Sequence, residues 1–281
     1  MSGRFTAADG TLLAYDDLGP AGELPPVVLV HGHPFNRSMW QPQTAALVTA
    51  GYRVIVPDLR GYGDSGVVPG GTGRTLLADF ADDIAALLDH LGLARAVVGG
   101  VSMGGQIAME FHLAYPERVV ALVLADTSPV AETEDGKAFR NRLADRLLAE
   151  GMGGYADEVI DKMLAPYNVT GLPDVAAQVM RMMRATAPEG AAAALRGRAE
   201  RPDYRDSLAG AGVPVLVVVG ADDVYTPVAE ARVLHGLIPG AELVVVEGAG
   251  HLPGLERPEV FNGAMVRFLT GVGSASGPGI A

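Results

Sequence analysis

Six short apolar runs recur along the chain, at residues 27–30, 53–56, 96–98, 119–124, 213–219 and 243–246. They are rich in valine and continuous rather than alternating, the pattern of strands buried on both faces of a parallel sheet. Parallel strands need long crossovers, and amphipathic helices stand between the runs. Residues 75–91 place Leu76, Leu77, Phe80, Ile84, Leu87, Leu88 and Leu91 on one helical face. Residues 103–114, 228–237 and 258–269 behave similarly. Two alternating segments, 4–8 and 12–18, flank Asp9-Gly10 and predict an antiparallel hairpin. The class is α/β, a mostly parallel doubly wound sheet with an N-terminal hairpin.

Residues 129–205 break the alternation. They contain no strand-like run, only helical patterns at 137–150, 155–164, 174–187 and 189–198. This segment is expected to be a helical cap over the C-terminal edge of the sheet, where ligands bind in such folds. The layout is then a core of residues 1–128 and 206–270, a cap of 129–205, and a flexible Gly/Ser/Pro tail of 271–281. The cap holds Met152, Met163, Met180, Met182 and Met183, half of the ten methionines. Methionine suits an adaptable apolar pocket, although ordinary helix packing accounts for any one of them.

Composition narrows the function classes. A 281-residue chain that is 49% hydrophobic and 19% charged can bury a large core. Its formal charge of −12 disfavours nucleic acid and anionic membranes as partners. The absence of cysteine removes disulfides, thiolate metal sites and cysteine nucleophiles. No apolar run spans a bilayer, and the first residues carry no charged-plus-apolar leader, so a cytoplasmic enzyme is expected.

The chemistry centres on Gly100-Val101-Ser102-Met103-Gly104, a G-x-S-x-G elbow between a strand run and a helix run. Small neighbours let Ser102 project from a strained turn. A serine hydroxyl needs a base, and the base needs an orienting acid. Among six histidines, His251 follows the last strand run in the flexible loop Gly248-Ala249-Gly250-His251 and is the expected base. His90, His112 and His235 lie in helical patterns. The acid belongs between Ser102 and His251 in chain order. Asp223 is favoured, with Asp222 beside it and Asp126 after the fourth run as alternatives.

Two N–H groups must face a developing oxyanion. The amide of Met103, at the positive end of a helix, and that of His33, in His31-Gly32-His33-Pro34, are the candidates. His31 is expected to fix this loop by hydrogen bonding. The glycine-rich stretch 58–65 lacks a P-loop lysine and is read as structural, with Asp58 pairing with Arg60.

In motif order and spacing the chain resembles the α/β-hydrolase superfamily. The match runs from His31-Gly32-His33-Pro34 through residues 58–65 and 100–105 to Asp223 and Gly248-Ala249-Gly250-His251. The resemblance implies a Ser102–His251–Asp223 triad, because family members place the acid four residues before a proline, here Pro227. It implies no cofactor and no metal. Residues 250–259 are similar to the ending of 3-oxoadipate enol-lactonases and related small carboxylesterases. The substrate expected is a small or medium, largely apolar ester or lactone. Perhydrolases and C–C bond hydrolases share the triad, and a biosynthetic cyclase or a receptor could use the same fold.

Overall fold

The computed structural model describes residues 2–68 and 73–275. Eight strands form one sheet: β1 (Ser2–Thr6), β2 (Leu12–Leu18), β3 (Val27–Val30), β4 (Val54–Pro57), β5 (Ala96–Val101), β6 (Val119–Ala125), β7 (Val215–Gly220) and β8 (Glu242–Val246). Their order is β1-β2-β4-β3-β5-β6-β7-β8. β2 runs antiparallel to β1 and β4, and every other pairing is parallel.

Burial on both faces explains the continuous apolar runs. β3 sends Val27 and Leu29 into one core and Val28 and Val30 into the other. β6 divides likewise, with Ala121 and Val123 opposite Leu122 and Leu124. Each fully buried Val or Leu favours folding by about 1.5–3 kcal/mol over leaving it exposed. No position on these central strands can therefore be polar at small cost.

The helices are α1 (Gln41–Thr49), α2 (Leu77–His90), α3 (Met103–Ala114), α4 (Glu134–Glu150), α5 (Gly153–Met163), α6 (Pro166–Gly171), α7 (Pro173–Ala185), α8 (Pro188–Arg198), α9 (Arg205–Ala209), α10 (Val228–Leu237), α11 (Pro253–Glu256) and α12 (Pro258–Ala275). α1 has no counterpart in the sequence pattern, because its buried side chains are Gln43, Thr44 and Leu47 rather than an apolar stripe. α12 outlasts expectation and contains residues 271–275, assigned above to a tail. Phe268, Leu269 and Val272 pack into the core and carry the helix onward. Residues 276–281 of that tail lie outside the described residues.

From α4 to α8 the chain is helical without an intervening strand. This insertion sits closely on the sheet domain. A Cβ on Gly190 of α8 would overlap the backbone of Gly61, and the Thr75 amide donates to Ala193 O at 3.0 Å.

The expected Asp58–Arg60 pair does not form. Asp58 pairs with Arg37 and accepts the amides of Arg37 and Asp64, each at 2.8 Å. Arg60 instead reaches Asp83 at 2.5 Å and Asp9 at 2.6 Å. Gly61 and Gly63, both at positive φ, curl the loop over Asp58 and leave Arg60 facing α2.

Candidate active site

Ser102 stands alone between the end of β5 and the start of α3, at φ 56° and ψ −116°. A non-glycine residue in that region costs roughly 1–3 kcal/mol and persists only where its surroundings hold it. Here the Ser102 amide donates to Ala125 O at 2.9 Å. Its carbonyl accepts from the Gln106 amide at 3.1 Å and from Thr127 Oγ1 at 2.8 Å. The flanking glycines are steric necessities. A Cβ on Gly100 would overlap the Gly104 backbone, and one on Gly104 would overlap the Val30 carbonyl.

His251 follows β8 in a loop tied to the end of β7, where Asp222 N donates to Ala249 O at 2.9 Å. Its Nδ1 lies 2.8 Å from Asp223 Oδ2, with both side chains buried. Asp223 also accepts Thr226 Oγ1 at 2.5 Å and the Tyr225 amide at 2.8 Å. Burial opposes its charge, but the charge and hydrogen bond of His251, helped by these donors, hold its carboxyl far below the ordinary range. An ionised carboxylate only accepts, so Nδ1 carries the proton and Nε2 is free to accept one.

The other two aspartates take different positions. Asp222 accepts the Tyr167 hydroxyl at 2.5 Å on the surface. Asp126, at φ 46°, accepts the Gly220 amide on Oδ1 at 2.9 Å. Burial, and then the charge of Asp223, push its carboxyl well above the ordinary range. The ligand atoms of Asp126, Asp223 and His251 fall within 4.8 Å of one another. Asp223 Oδ2 and His251 Nδ1 are spent on each other, whereas Asp126 Oδ2 is buried without a hydrogen-bond partner.

The loop after β3 lies against the elbow, since a Cβ on Gly32 would come within 3.4 Å of Ser102 Cβ. His31 fixes it: Nε2 accepts the Leu59 amide at 3.0 Å, so protonated Nδ1 donates to Gly32 O at 2.9 Å. His33 Nδ1 lies 2.8 Å from the Tyr62 hydroxyl, and burial, reinforced by Arg198 and Arg140, pushes its pKa well below the ordinary value. Among the described residues no group accepts the amides of His33 or Met103.

Ser102, His251, His33 and Asp126 line one cavity of about 610 Å³. The insertion supplies its other wall, with Phe139, Leu143, Tyr155, Val159, Met163 and Leu195. Of the five methionines noted in the sequence, Met163 is the one that reaches it. The lining is not simply apolar, because Arg140, Arg198 and Arg201 face it as well.

Two contributors escape a reading of the sequence. Glu256, on α11, accepts the Gly250 amide and the Ala165 amide, each at 2.8 Å, and Asn168 Nδ2 at 2.7 Å. It thereby fastens the His251 loop to the insertion. It lies five positions beyond His251, but nothing local marks it as buried. The other is Arg198, an ordinary basic residue in the last turn of a helix.

A family model described as the alpha/beta hydrolase fold matches residues 25–258, most of the chain. The chain belongs to the α/β-hydrolase family. This α/β hydrolase is 31% identical over 261 residues to 3-oxoadipate enol-lactonase 2 of Acinetobacter baylyi, covering 93% of this chain and 94% of the relative. A thermophilic esterase from Thermogutta terrifontis superposes with a TM-score of 0.91 at 39% identity, over 97% of this chain and 99% of that one. A bromoperoxidase from Bacillus anthracis superposes with a TM-score of 0.82 at 25% identity, over 95% and 100%. These similarities make it a hydrolase of the esterase, enol-lactonase and bromoperoxidase type. No helix among its described residues is long and apolar enough to cross a membrane.

Proposed function

We propose that this α/β hydrolase cleaves small or medium carboxylic esters or lactones through an acyl-enzyme on Ser102. The carrying observation is the buried Asp223–His251 hydrogen bond, opening onto the cavity that Ser102 lines. With Nδ1 held by Asp223, His251 Nε2 takes the Ser102 proton as Oγ attacks the carbonyl carbon. Asp223 stabilises the imidazolium that forms, and the His33 and Met103 amides bind the oxyanion. The imidazolium then protonates the leaving alkoxide. Water deprotonated by His251 attacks the acyl-enzyme, and collapse of the second tetrahedral species releases the acid and restores Ser102.

The test pairs stoichiometric labelling by a fluorophosphonate with hydrolysis of p-nitrophenyl esters from acetate to octanoate, in wild type and Ser102→Ala. Labelling should vanish in the variant and turnover fall by several orders of magnitude. Wild type that neither labels nor turns over would defeat the reading, and near-full hydrolysis by Ser102→Ala would remove the nucleophile.

A further inference from the structure

Arg198 is the least expected group in the cavity. It ends α8, is only 9% exposed and lines the same space as Ser102 and His251. Its Nε donates to Gln106 Oε1 at 3.1 Å. Gln106 lies four residues after Ser102 on α3, about one 5.4 Å turn from the nucleophile. Among the described residues no carboxylate pairs with Arg198.

The wall around it is short of negative charge. Glu132 is shared by Arg140 and Arg201, the latter at 2.8 Å. Three guanidiniums thus face one carboxylate. Glu158, also on the lining, is committed to Arg146, and Lys162 and Glu230 add one charge of each sign, so cations still outnumber the glutamates of the lining. The chain as a whole carries −12, so this positive wall runs against its general field. An unpaired buried cation is costly to hold, and breaking such a pairing is among the more damaging changes a fold can suffer. Burial, then Arg140 and Arg201, lower the pKa of Arg198, the signature of a cation lacking its counter-ion. A guanidinium in this state presents a planar fork of donors matched to a carboxylate.

We propose that Arg198, backed by Arg140 and Arg201, binds a carboxylate carried by the substrate, so that the ester or lactone opened at Ser102 bears an acid group at its far end. This rests on the serine-hydrolase reading above for the reaction, but not for the binding. The apolar side chains Leu143, Val159 and Leu195 then flank the linker between the two ends.

The test compares monomethyl succinate, glutarate and adipate with methyl butyrate, valerate and hexanoate by pH-stat. Wild type should favour the acidic member of at least one length-matched pair at least tenfold in kcat/KM. Arg198→Met should bring that ratio close to one. If it does not fold, Arg198→Lys, which keeps the charge and loses the fork, should lower the ratio about tenfold. Equal hydrolysis of acidic and neutral esters, or equal losses on both, would overturn the proposal. Calorimetric titration of Ser102→Ala with glutarate and adipate separates the two readings. Saturable binding abolished by a second substitution, Arg198→Met or Arg198→Lys, upholds the anion site even if no ester is turned over. Absence of binding sinks it even if neutral esters are hydrolysed.

Discussion

Asp223 Oδ2 lies 2.8 Å from Nδ1 of His251, while Asp126, within 4.8 Å of both, keeps Oδ1 on the Gly220 amide. The two acids occupy one buried pocket and divide its work. Asp223 is the charged partner of the imidazole, and Asp126 holds the strand end on which Asp223 is mounted. Asp223→Asn should lower kcat on a neutral ester by about 10⁴-fold, because an amide favours the wrong imidazole tautomer. Asp126→Asn should cost no more than about tenfold, since its carbonyl still accepts from Gly220. Steady-state kinetics of both variants decide between them. The reverse order would transfer the acid role to Asp126.

The same residue sets a pH dependence of stability. Unfolded, Asp126 ionises in the ordinary carboxylate range; folded, burial and the Asp223 charge make it hold its proton to higher pH. The folded state then binds more protons, and stability from this group is lost as pH rises through the folded value. Asp126→Asn has no proton to lose. Urea unfolding at about pH 4.5 and about pH 8 should show the variant gaining on wild type at the higher pH. A gap that stays constant or shrinks would mean that Asp126 is ionised in the native protein.

Steric demand at the elbow predicts opposite outcomes for two glycine substitutions. Gly104→Ala drives a Cβ into the carbonyls of Val30 and His31. It should cost about 1–3 kcal/mol and displace the loop that carries His33. Gly236, inside α10, has open space where its Cβ would go. Gly236→Ala should stabilise by about 0.4–1 kcal/mol. Chemical denaturation of each measures the difference.

Arg60 and Asp83 form a buried pair at 2.5 Å, and burial raises the Asp83 carboxyl despite its partner. Arg60→Met leaves that acid buried on α2 without its partner and should cost about 3–5 kcal/mol. The surface pair of Arg205 and Asp203 is the control, and Arg205→Ala should leave stability nearly unchanged, because solvent screens an exposed ion pair. Comparable small losses in both would show that the Asp83 site admits water.

Strand identity and the elbow could be read directly from the chain. Burial on both sheet faces admits only apolar residues over four to seven positions, and no other structure needs that pattern together with intervening amphipathic helices. Ser102 was legible for a related reason: the strand-to-helix turn leaves no room for a Cβ at Gly100 or Gly104, so the constraint is written in neighbouring residues. α1 was not legible, because Gln43 spends its amide on Gly254 O and Asn262 Oδ1, partners more than two hundred residues away. The Asp58–Arg60 expectation failed similarly, since their partners Arg37 and Asp83 come from outside the loop.

By itself the sequence determined the α/β class, the succession of strands and of the amphipathic helices other than α1, the helical stretch between β6 and β7, and a short set of residues to test as nucleophile, base and acid. These depend on periodicity and local sterics, which act over a few residues. The tertiary structure decided which aspartate meets His251, that Glu256 secures the His251 loop, and that Arg140, Arg198 and Arg201 converge on one cavity wall. The hydrogen bonds of His251 and Glu256 join residues 6 to 91 positions apart. They arise from burial and long-range packing, and a one-dimensional pattern carries no record of either.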